Sequence, residues 1–236
     1  MLKTLLLIVS HQNSQHERRE LTHEDFICHY FVGDKEIKDE FQVDEESNTV
    51  RLRVADNYES LSEKVALAMK FAHDVYGEFI DGVFKTDDDI SLDLELLSKF
   101  IKDNKKHKYF GIKNNVEESL SDYHFNKCES KEINNTRQII PACEYCSGGG
   151  YYVSKELLCH IFGQKPVSIF EDANVGKILN DAGVRPKHVP IKACAFWQSP
   201  VSLRMKSMFP HCDCGLIIRS ELNFCPHCDR MYRNKA

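Results

Sequence analysis

Three consecutive aspartates, Asp87 to Asp89, follow the apolar pair Val83 and Phe84 in the stretch KTDDDIS. Neighbouring like charges repel by about 1 to 4 kcal/mol per close pair unless water or a cation screens them. Mg²⁺ and Mn²⁺ bind one or two carboxylates together with diphosphate oxygens. The triplet therefore fits half of a nucleotide-diphosphate site, although an exposed turn before a capped helix is the better explanation when the aspartates are taken alone.

Two further segments carry residues suited to chemistry. CEYCSGGGYYVSKEL contains Gly148, Gly149 and Gly150, which permit close backbone approach to a ligand and unusual φ angles, but also occur in ordinary flexible loops. FEDANVGKIL places Glu171 and Asp172 in the first turn of a predicted helix, where the helix dipole favours acids whether or not they react. Each segment in isolation is better explained by structure than by function.

The elements that must position these residues alternate between strands and helices. LLLIVS and FICHYFVG are typical of buried strands, and FIDGVF leads into the aspartates. Ser60 and Glu63 form a capping-box pattern that opens a helix with one apolar face, which Gly77 can end. This alternation predicts an α/β sheet flanked by helices, and ligands of such sheets bind beyond the carboxyl ends of the strands.

The later part of the chain is predicted to complete this domain. Apolar residues from Leu92 to Ile101 indicate a helix after the aspartates, and two more helices are predicted over residues 154–162 and 172–182. Residues 113–142 are polar and irregular, which suits a long loop over a site.

The totals exclude some classes of protein. A chain of 236 residues with 42% hydrophobic content can bury a sizeable core. Its net charge of −5 argues against nucleic-acid binding. The apolar run from Leu5 to Val9 is too short to cross a membrane, and no cleavage site follows it. We therefore expect no membrane span and a cytoplasmic location.

The last 25 residues contain four of the ten cysteines, in the pattern HCDCGLIIRSELNFCPHC. The pairs Cys212 with Cys214 and Cys225 with Cys228 match a tetrahedral Zn²⁺ site of the zinc-ribbon type, with His211 as an alternative ligand to Cys212. So short a unit needs the metal for its folding energy. The predicted domains are residues 1–205 and a zinc ribbon over residues 206–236.

Taken together and in this order, the segments resemble the β-1,3-galactosyltransferase family, glycosyltransferase family 31. The resemblance covers about residues 4 to 186, in the pieces LLLIVSHQNSQHERRE, DNYESLSEKVALAMKFA, KTDDD, KYFG, YCSGGGYYVSKEL and FEDANVGKILNDAGVRP. It implies a GT-A fold, a Rossmann-like mixed and mostly parallel sheet between helices. It also implies inverting transfer of a hexose, galactose or N-acetylglucosamine, from a UDP-sugar to a glycan, protein or lipid hydroxyl, forming a β-1,3 linkage.

The resemblance also implies roles for individual acids. Asp87 to Asp89 correspond to the family's DxD element, in which Asp89, with Asp87, would hold Mn²⁺ or Mg²⁺, and Asp87 or Asp88 would face the nucleotide sugar. Asp172 corresponds to the general base that takes the proton of the acceptor hydroxyl, and Glu171 would orient it or hold the acceptor.

On the donor side, Gly148, Gly149 and Gly150 would let the backbone close on donor or acceptor. Arg18 and Arg19 match a paired arginine with a phosphate or uridine role, and a solvated basic turn is the alternative. Lys64 lies in a matching piece where nucleotide contact and structural packing are equally good explanations.

The chain departs from the family pattern in two respects. In the family, a histidine often completes the metal shell. The candidates for this histidine in the present sequence are His188 and, more remotely, His211. Golgi members begin with a membrane anchor and a stem, which this sequence lacks, so we expect either a truncated chain or a cytoplasmic enzyme, as in bacteria or viruses. The alternative function is a catalytically silent GT-A protein that uses the zinc ribbon for partner contact.

Overall fold

The computed structural model describes residues 2–18, 20–191 and 195–197, and most of its strands belong to one sheet. The described strands are β1 (Lys3–Val9), β2 (Phe26–Gly33), β3 (Phe41–Asp44), β4 (Thr49–Leu52), β5 (Ile80–Asp87), β6 (Ile90–Leu92), β7 (Tyr109–Val116), β8 (Ser119–Ser121), β9 (Gln138–Ile140), β10 (Cys143–Ser154), β11 (Lys187–His188) and β12 (Ala195–Trp197). The described helices are α1 (Leu61–Tyr76), α2 (Leu94–Asn104), α3 (Lys131–Asn135), α4 (Leu158–Phe162) and α5 (Glu171–Asp181), with 3₁₀ turns at Gln12–Glu17 and Lys155–Leu157.

The central sheet has eight strands in the order β11-β7-β10-β5-β1-β2-β4-β3. Strands β5, β1, β2 and β4 run parallel to one another, as do β11 and β7, whereas β10 is antiparallel to both of its neighbours and β3 is antiparallel to β4. From β1 the chain first builds the sheet towards β2 and β4, and then returns to β5 on the other side. The carboxyl ends of β1 and β5 thus meet where the strand order reverses, the usual ligand position in open α/β sheets.

Helices cover both faces of this sheet. Leu5, Leu7 and Val9 of β1 point into a core that includes residues of α1, α4 and α5, whereas Leu6 and Ile8 point into a second core that includes residues of α2. Burial on both faces explains the uninterrupted apolar run of β1. The predicted α/β fold class is confirmed.

The N-cap contact of α1 and the start of α2 differ from the predicted pattern. α1 begins at Leu61, as the pattern indicates, but the Ser60 side chain makes no capping hydrogen bond, so the predicted capping box is wrong in its contacts. The N–H of Ser60 donates instead to Oδ1 of Asn57, at 3.1 Å. Gly77 ends α1 as predicted, and Leu92 belongs to β6 because α2 begins only after its N-cap, Asp93.

Residues 113–142, predicted as an irregular loop, contain the end of β7, the β8–β9 hairpin and the short helix α3, so this prediction is wrong. His124 organises them: its ring is fully buried, and Nε2 lies 2.8 Å from the carbonyl oxygen of Ile133 and 3.1 Å from that of Thr136. The N–H groups of Glu129 and Ser130 donate to the Glu59 carboxylate and attach this region to the segment before α1. One ring nitrogen of His124 thus joins two backbone carbonyl groups at the end of α3 inside this polar region.

No helix among the described residues is both long enough and apolar enough to cross a lipid bilayer. Several predictions fall on residues outside the described ranges. These are Arg19, the boundary near residue 205, and the predicted zinc ribbon with Cys212, Cys214, Cys225, Cys228 and His211.

Candidate active site

The three aspartates lie where β5 ends beside β1. Asp87 is the last residue of β5 and pairs with Val9, and the N–H of Asp88 donates to the Val9 carbonyl oxygen at 3.0 Å. Asp88 and Asp89 then turn the chain into β6. A shallow cleft that is partly open to solvent borders Asp87 and Asp88, and Tyr30 also lines it. The acids therefore face a space that a ligand can enter.

Arg18 is joined to the aspartates through Ser10. The Ser10 hydroxyl donates to Oδ2 of Asp88 at 2.7 Å, and Nε of Arg18 donates to the same hydroxyl oxygen at 3.3 Å. The guanidinium group also donates to Oγ1 of Thr49 and to the carbonyl oxygen of His11, at 2.8 and 3.0 Å. Arg18 is thus held against the end of the parallel strands, which does not fit a freely solvated basic turn.

Lys64, a residue of α1, stabilises the same edge of the sheet. Its side chain is buried, and Nζ donates to Oδ1 of Asp56 at 2.5 Å and to the Ser10 carbonyl oxygen at 3.2 Å. Asp56 in turn accepts the N–H groups of Gly33 and Gln12. Burial acts to raise the pKa of Asp56, but Lys64 and these N–H groups outweigh it and lower the pKa. Lys64 therefore supports the loop after β1, and the structure gives its ammonium no open face towards a ligand.

Lys85 lies between the aspartates and the second acidic pair. Its side chain is only 1% exposed, and Nζ donates to Oδ1 of Asp87 at 2.6 Å and to the Gly148 carbonyl oxygen at 2.7 Å. The same Nζ lies 3.2 Å from Oε2 of Glu171. Burial acts to lower the pKa of Lys85, but the charges of Asp87 and Glu171 outweigh it and raise the pKa. Acids 84 positions apart in the sequence thus share one ammonium group.

Glu171 and Asp172 begin α5, which packs against β10. Glu171 is buried, accepts a short hydrogen bond from the Tyr151 hydroxyl and faces Lys85. Burial raises the pKa of Glu171 to about 7, against the opposing effect of Lys85. Asp172 is half-buried and accepts the N–H of Gly148 at Oδ2 and the N–H of Ala173 at Oδ1, at 3.0 and 2.9 Å.

The environment of Asp172 suits a base. Burial raises its pKa, because the two N–H donors and Lys85 only partly offset the loss of water. A carboxylate with a raised pKa accepts a proton more readily than one in water, and such perturbed groups cluster at functional sites.

The chain that carries this site matches a known protein family. The galactosyltransferase family model matches residues 12–190, a range that includes the aspartates, the three glycines, Glu171 and Asp172. The chain belongs to the galactosyltransferase family. It is accordingly a glycosyltransferase, and the resemblance seen in the motifs is confirmed at the level of the family. Together with the mixed, mostly parallel sheet, the match supports the GT-A fold class. Comparison with curated proteins returned no match.

The aspartates of this galactosyltransferase-family site fit a divalent cation. Oδ1 of Asp89 is buried and has no hydrogen-bond partner, and burial together with Asp87 and Asp88 raises the pKa of Asp89 to about 6. A buried carboxylate oxygen without a donor needs a cation or a proton. Within the described ranges, no three His, Cys, Asp or Glu side chains could hold a metal by themselves. One or two carboxylates suffice where substrate phosphates complete the shell.

The structure does not bring His188 to these aspartates. His188 pairs with Gly111 of β7, which pairs with Tyr151 of β10, which pairs with Lys85 of β5. Three strand spacings amount to about 14 Å. His188 is exposed, and its Nδ1 accepts the N–H of Lys113 at 3.1 Å. Its geometry offers no support for a place in the metal shell.

The glycine run of this galactosyltransferase-family chain lies inside β10, where pairing with β7 is interrupted between Cys146 and Tyr151. None of the three glycines has a positive φ, so the unusual φ angles that glycine permits do not occur here, and the alternative of a flexible loop is wrong because the run belongs to a strand. Close approach is the reason at Gly148, where a Cβ would lie 3.2 Å from Oε2 of Glu171 and 3.5 Å from Oδ2 of Asp172. Gly148 lets the backbone reach the acids and contact Lys85 and Asp172 through both of its polar groups.

A substitution at Gly176 tests how closely α5 packs against β10. A Cβ at this position would lie 2.3 Å from Cβ of Tyr145 and 2.8 Å from the carbonyl oxygen of Glu144. We expect Gly176→Ala to lower the free energy of unfolding by about 1 to 3 kcal/mol, because α5 must move away from β10. Urea denaturation measures the change. Gly149→Ala, whose Cβ would meet its nearest atom at 3.9 Å, is the control, and equal losses in the two variants would contradict the close contact.

Sequence reasoning missed three residues of this site: Lys85, Tyr151 and Ser10. Lys85 left a signal, because it is a charged residue directly after the apolar residues Val83 and Phe84 of the strand that leads into the aspartates. A lysine at a buried strand position requires nearby carboxylates. Tyr151 lies within β10 and Ser10 directly follows β1. No sequence pattern distinguishes them from ordinary core and loop residues.

Proposed function

We propose that this protein is an inverting, divalent-metal-dependent glycosyltransferase that moves a hexose from a UDP-sugar to an acceptor hydroxyl and forms a β-1,3 linkage. The observation that carries the proposal is the convergence of Asp87, Glu171 and the Gly148 carbonyl group on Lys85, beside a cleft at the carboxyl ends of β1 and β5. This arrangement joins an acidic cation site to a carboxylate pair suited to proton transfer, the two components such a transfer needs.

Asp172 is the proposed general base. Its carboxylate takes the proton of the acceptor hydroxyl as that oxygen attacks the anomeric carbon, and the bond from this carbon to the UDP oxygen breaks with its electrons leaving on UDP. The N–H groups of Gly148 and Ala173 fix the orientation of the carboxylate. Attack opposite the departing UDP inverts the anomeric carbon.

Glu171 is proposed to orient the base rather than to hold the acceptor. Its two carboxylate oxygens face Tyr151 and Lys85 inside the protein, and its side chain is 3% exposed. A group with these contacts fixes the start of α5 and so the position of Asp172.

The donor is proposed to bind along the ends of β1 and β5. Asp89, with Asp87, would hold Mn²⁺ or Mg²⁺, which when bound supplies positive charge to neutralise the departing diphosphate. Asp88 borders the cleft from the turn after β5, and Arg18 is joined to Asp88 through the Ser10 hydroxyl. Arg18 is proposed to bind a phosphate or the uridine, with Arg19 assisting it. Lys64 acts indirectly, through Asp56 and Ser10.

A zinc ribbon over residues 206–236, with Cys212, Cys214, Cys225 and Cys228 as ligands or His211 in place of Cys212, is proposed as a structural unit. Galactose and N-acetylglucosamine are the two proposed donor sugars, and the acceptor is a glycan, a protein or a lipid.

A panel of UDP-sugars tests the proposal. We expect UDP release from UDP-galactose or UDP-N-acetylglucosamine in the presence of Mn²⁺, and loss of this release when EDTA removes the metal. NMR of the product should show inversion at the anomeric carbon. Absence of UDP release from every donor, together with no UDP binding by calorimetry with or without Mn²⁺, would favour a catalytically silent binding protein instead.

A further inference from the structure

Lys85 occupies an uncommon place for a lysine. It lies in the middle of the sheet with its charged group withdrawn from water, whereas lysines are almost never fully buried unless they are paired. Each of its three partners belongs to a different element: Asp87 to β5, the Gly148 carbonyl group to β10 and Glu171 to α5. One side chain thus connects the three elements that supply the proposed active site.

The contacts continue from Lys85 to the proposed base without a direct contact between them. Nζ of Lys85 binds the carbonyl oxygen of Gly148, and the N–H of the same glycine binds Oδ2 of Asp172. Lys85 also holds Glu171, the neighbour of Asp172 in the first turn of α5. A displacement of the ammonium group would therefore change the position of Asp172 by two routes.

We propose that Lys85 is a positioning residue that holds the metal-side carboxylate Asp87 and the base-side pair Glu171 and Asp172 in one arrangement. The inference rests on the proposed function. Its charge is required as well as its length, because an uncharged side chain of similar size leaves Asp87 and Glu171 facing each other as like charges. Lys85 contacts no reacting atom, so its loss should reduce turnover more than it reduces donor affinity.

Lys85→Met tests this role, because methionine keeps the unbranched shape and removes the charge. We expect kcat for UDP release to fall about 100-fold, the scale on which a displacement of about 1 Å acts, while the Kd for UDP with Mn²⁺ rises by a clearly smaller factor, no more than about 10-fold, because Asp87 loses one partner but Asp89 keeps its place. Lys70→Met is the matched control. It removes a lysine paired with Glu40 and Asp74 outside the site, and should leave both constants unchanged.

Two outcomes would overturn the proposal: a kcat close to that of the unmodified protein, or a loss of UDP binding as large as the loss of turnover. If Lys85→Met does not fold, the double variant Lys85→Met with Glu171→Gln restores the charge balance around Asp87. It should fold and remain slow, and a double variant with normal turnover would refute the role of Lys85.

Hydrogen exchange separates this inference from the proposed function. In Lys85→Met, the amides of residues 146–150 and 171–175 should exchange at least about tenfold faster than in the unmodified protein, because Gly148 and the first turn of α5 lose their shared anchor. If no UDP-sugar is turned over by the unmodified protein, the proposed function fails, and this measurement still decides the positioning role. Unchanged exchange in both segments would contradict it.

Discussion

Asp172→Asn is expected to lower kcat for sugar transfer by about 10² to 10⁴-fold, the usual contribution of a general base. Asparagine keeps the shape of the side chain but takes up no proton. UDP binding with Mn²⁺ should change little, because Asp172 is not among the residues that line the cleft bordered by Asp87 and Asp88. Steady-state kinetics with the preferred UDP-sugar and a hydroxyl acceptor measures the effect.

The pH dependence of transfer gives a second readout of the same residue. Burial raises the pKa of Asp172, and a base must be deprotonated to act, so kcat should fall as the pH drops through this raised pKa. Asp181→Asn, a change to an exposed acid at the other end of α5, is the control and should behave like the unmodified protein. Transfer by Asp172→Asn at an undiminished rate would remove Asp172 from the role of base.

Asp89→Asn is expected to weaken Mn²⁺-dependent binding of UDP by at least about 10-fold, the lower end of what a metal-site mutation usually costs. Oδ1 of Asp89 is buried without a partner, and asparagine replaces the carboxylate charge by a neutral amide. Calorimetry with UDP, with and without Mn²⁺, measures the difference. Binding in the absence of metal should be similar in both proteins.

Protons should compete with the metal at the same carboxylate. The pKa of Asp89 is raised to about 6, so Mn²⁺-dependent binding should weaken as the pH falls below this value and strengthen above it. Asp103→Asn, which changes an exposed acid of α2 paired with Lys99, is the control. Equal Mn²⁺ dependence in Asp89→Asn and the unmodified protein would exclude Asp89 as a ligand.

The central strands and the acids of the site could be predicted from the sequence because each follows from a local pattern. A continuous apolar run such as β1 indicates burial on both faces, and an apolar strand ending in acids places those acids at the ligand edge of a parallel sheet. The position of Glu171 and Asp172 in the first turn of α5 likewise follows from the pattern around them.

The connections between these patterns could not be predicted, because they depend on which strands become neighbours. Lys85 meets Glu171 only because β10 inserts antiparallel between β5 and β7 and carries α5 with it. His124 organises residues 117–142 through carbonyl groups 9 and 12 positions away, a contact without a residue pattern. Ser60 has the residue type that a capping box requires, yet its side chain makes no capping hydrogen bond, and its N–H donates to Oδ1 of Asn57.

The pairing of β5 with β10 also sets the order in which the molecule can assemble. Thr86 pairs with Gly150 and Gly82 with Ser154, so this ladder joins residues 64 to 72 positions apart and cannot begin until both segments have been synthesised. The parallel strands β4, β2, β1 and β5 can associate earlier, because all of them precede residue 88. During synthesis on the ribosome, Lys85 would then lie in a partly formed sheet without its partner Glu171. The pairing of β10 with β5 and the packing of α5 would be a late step of folding.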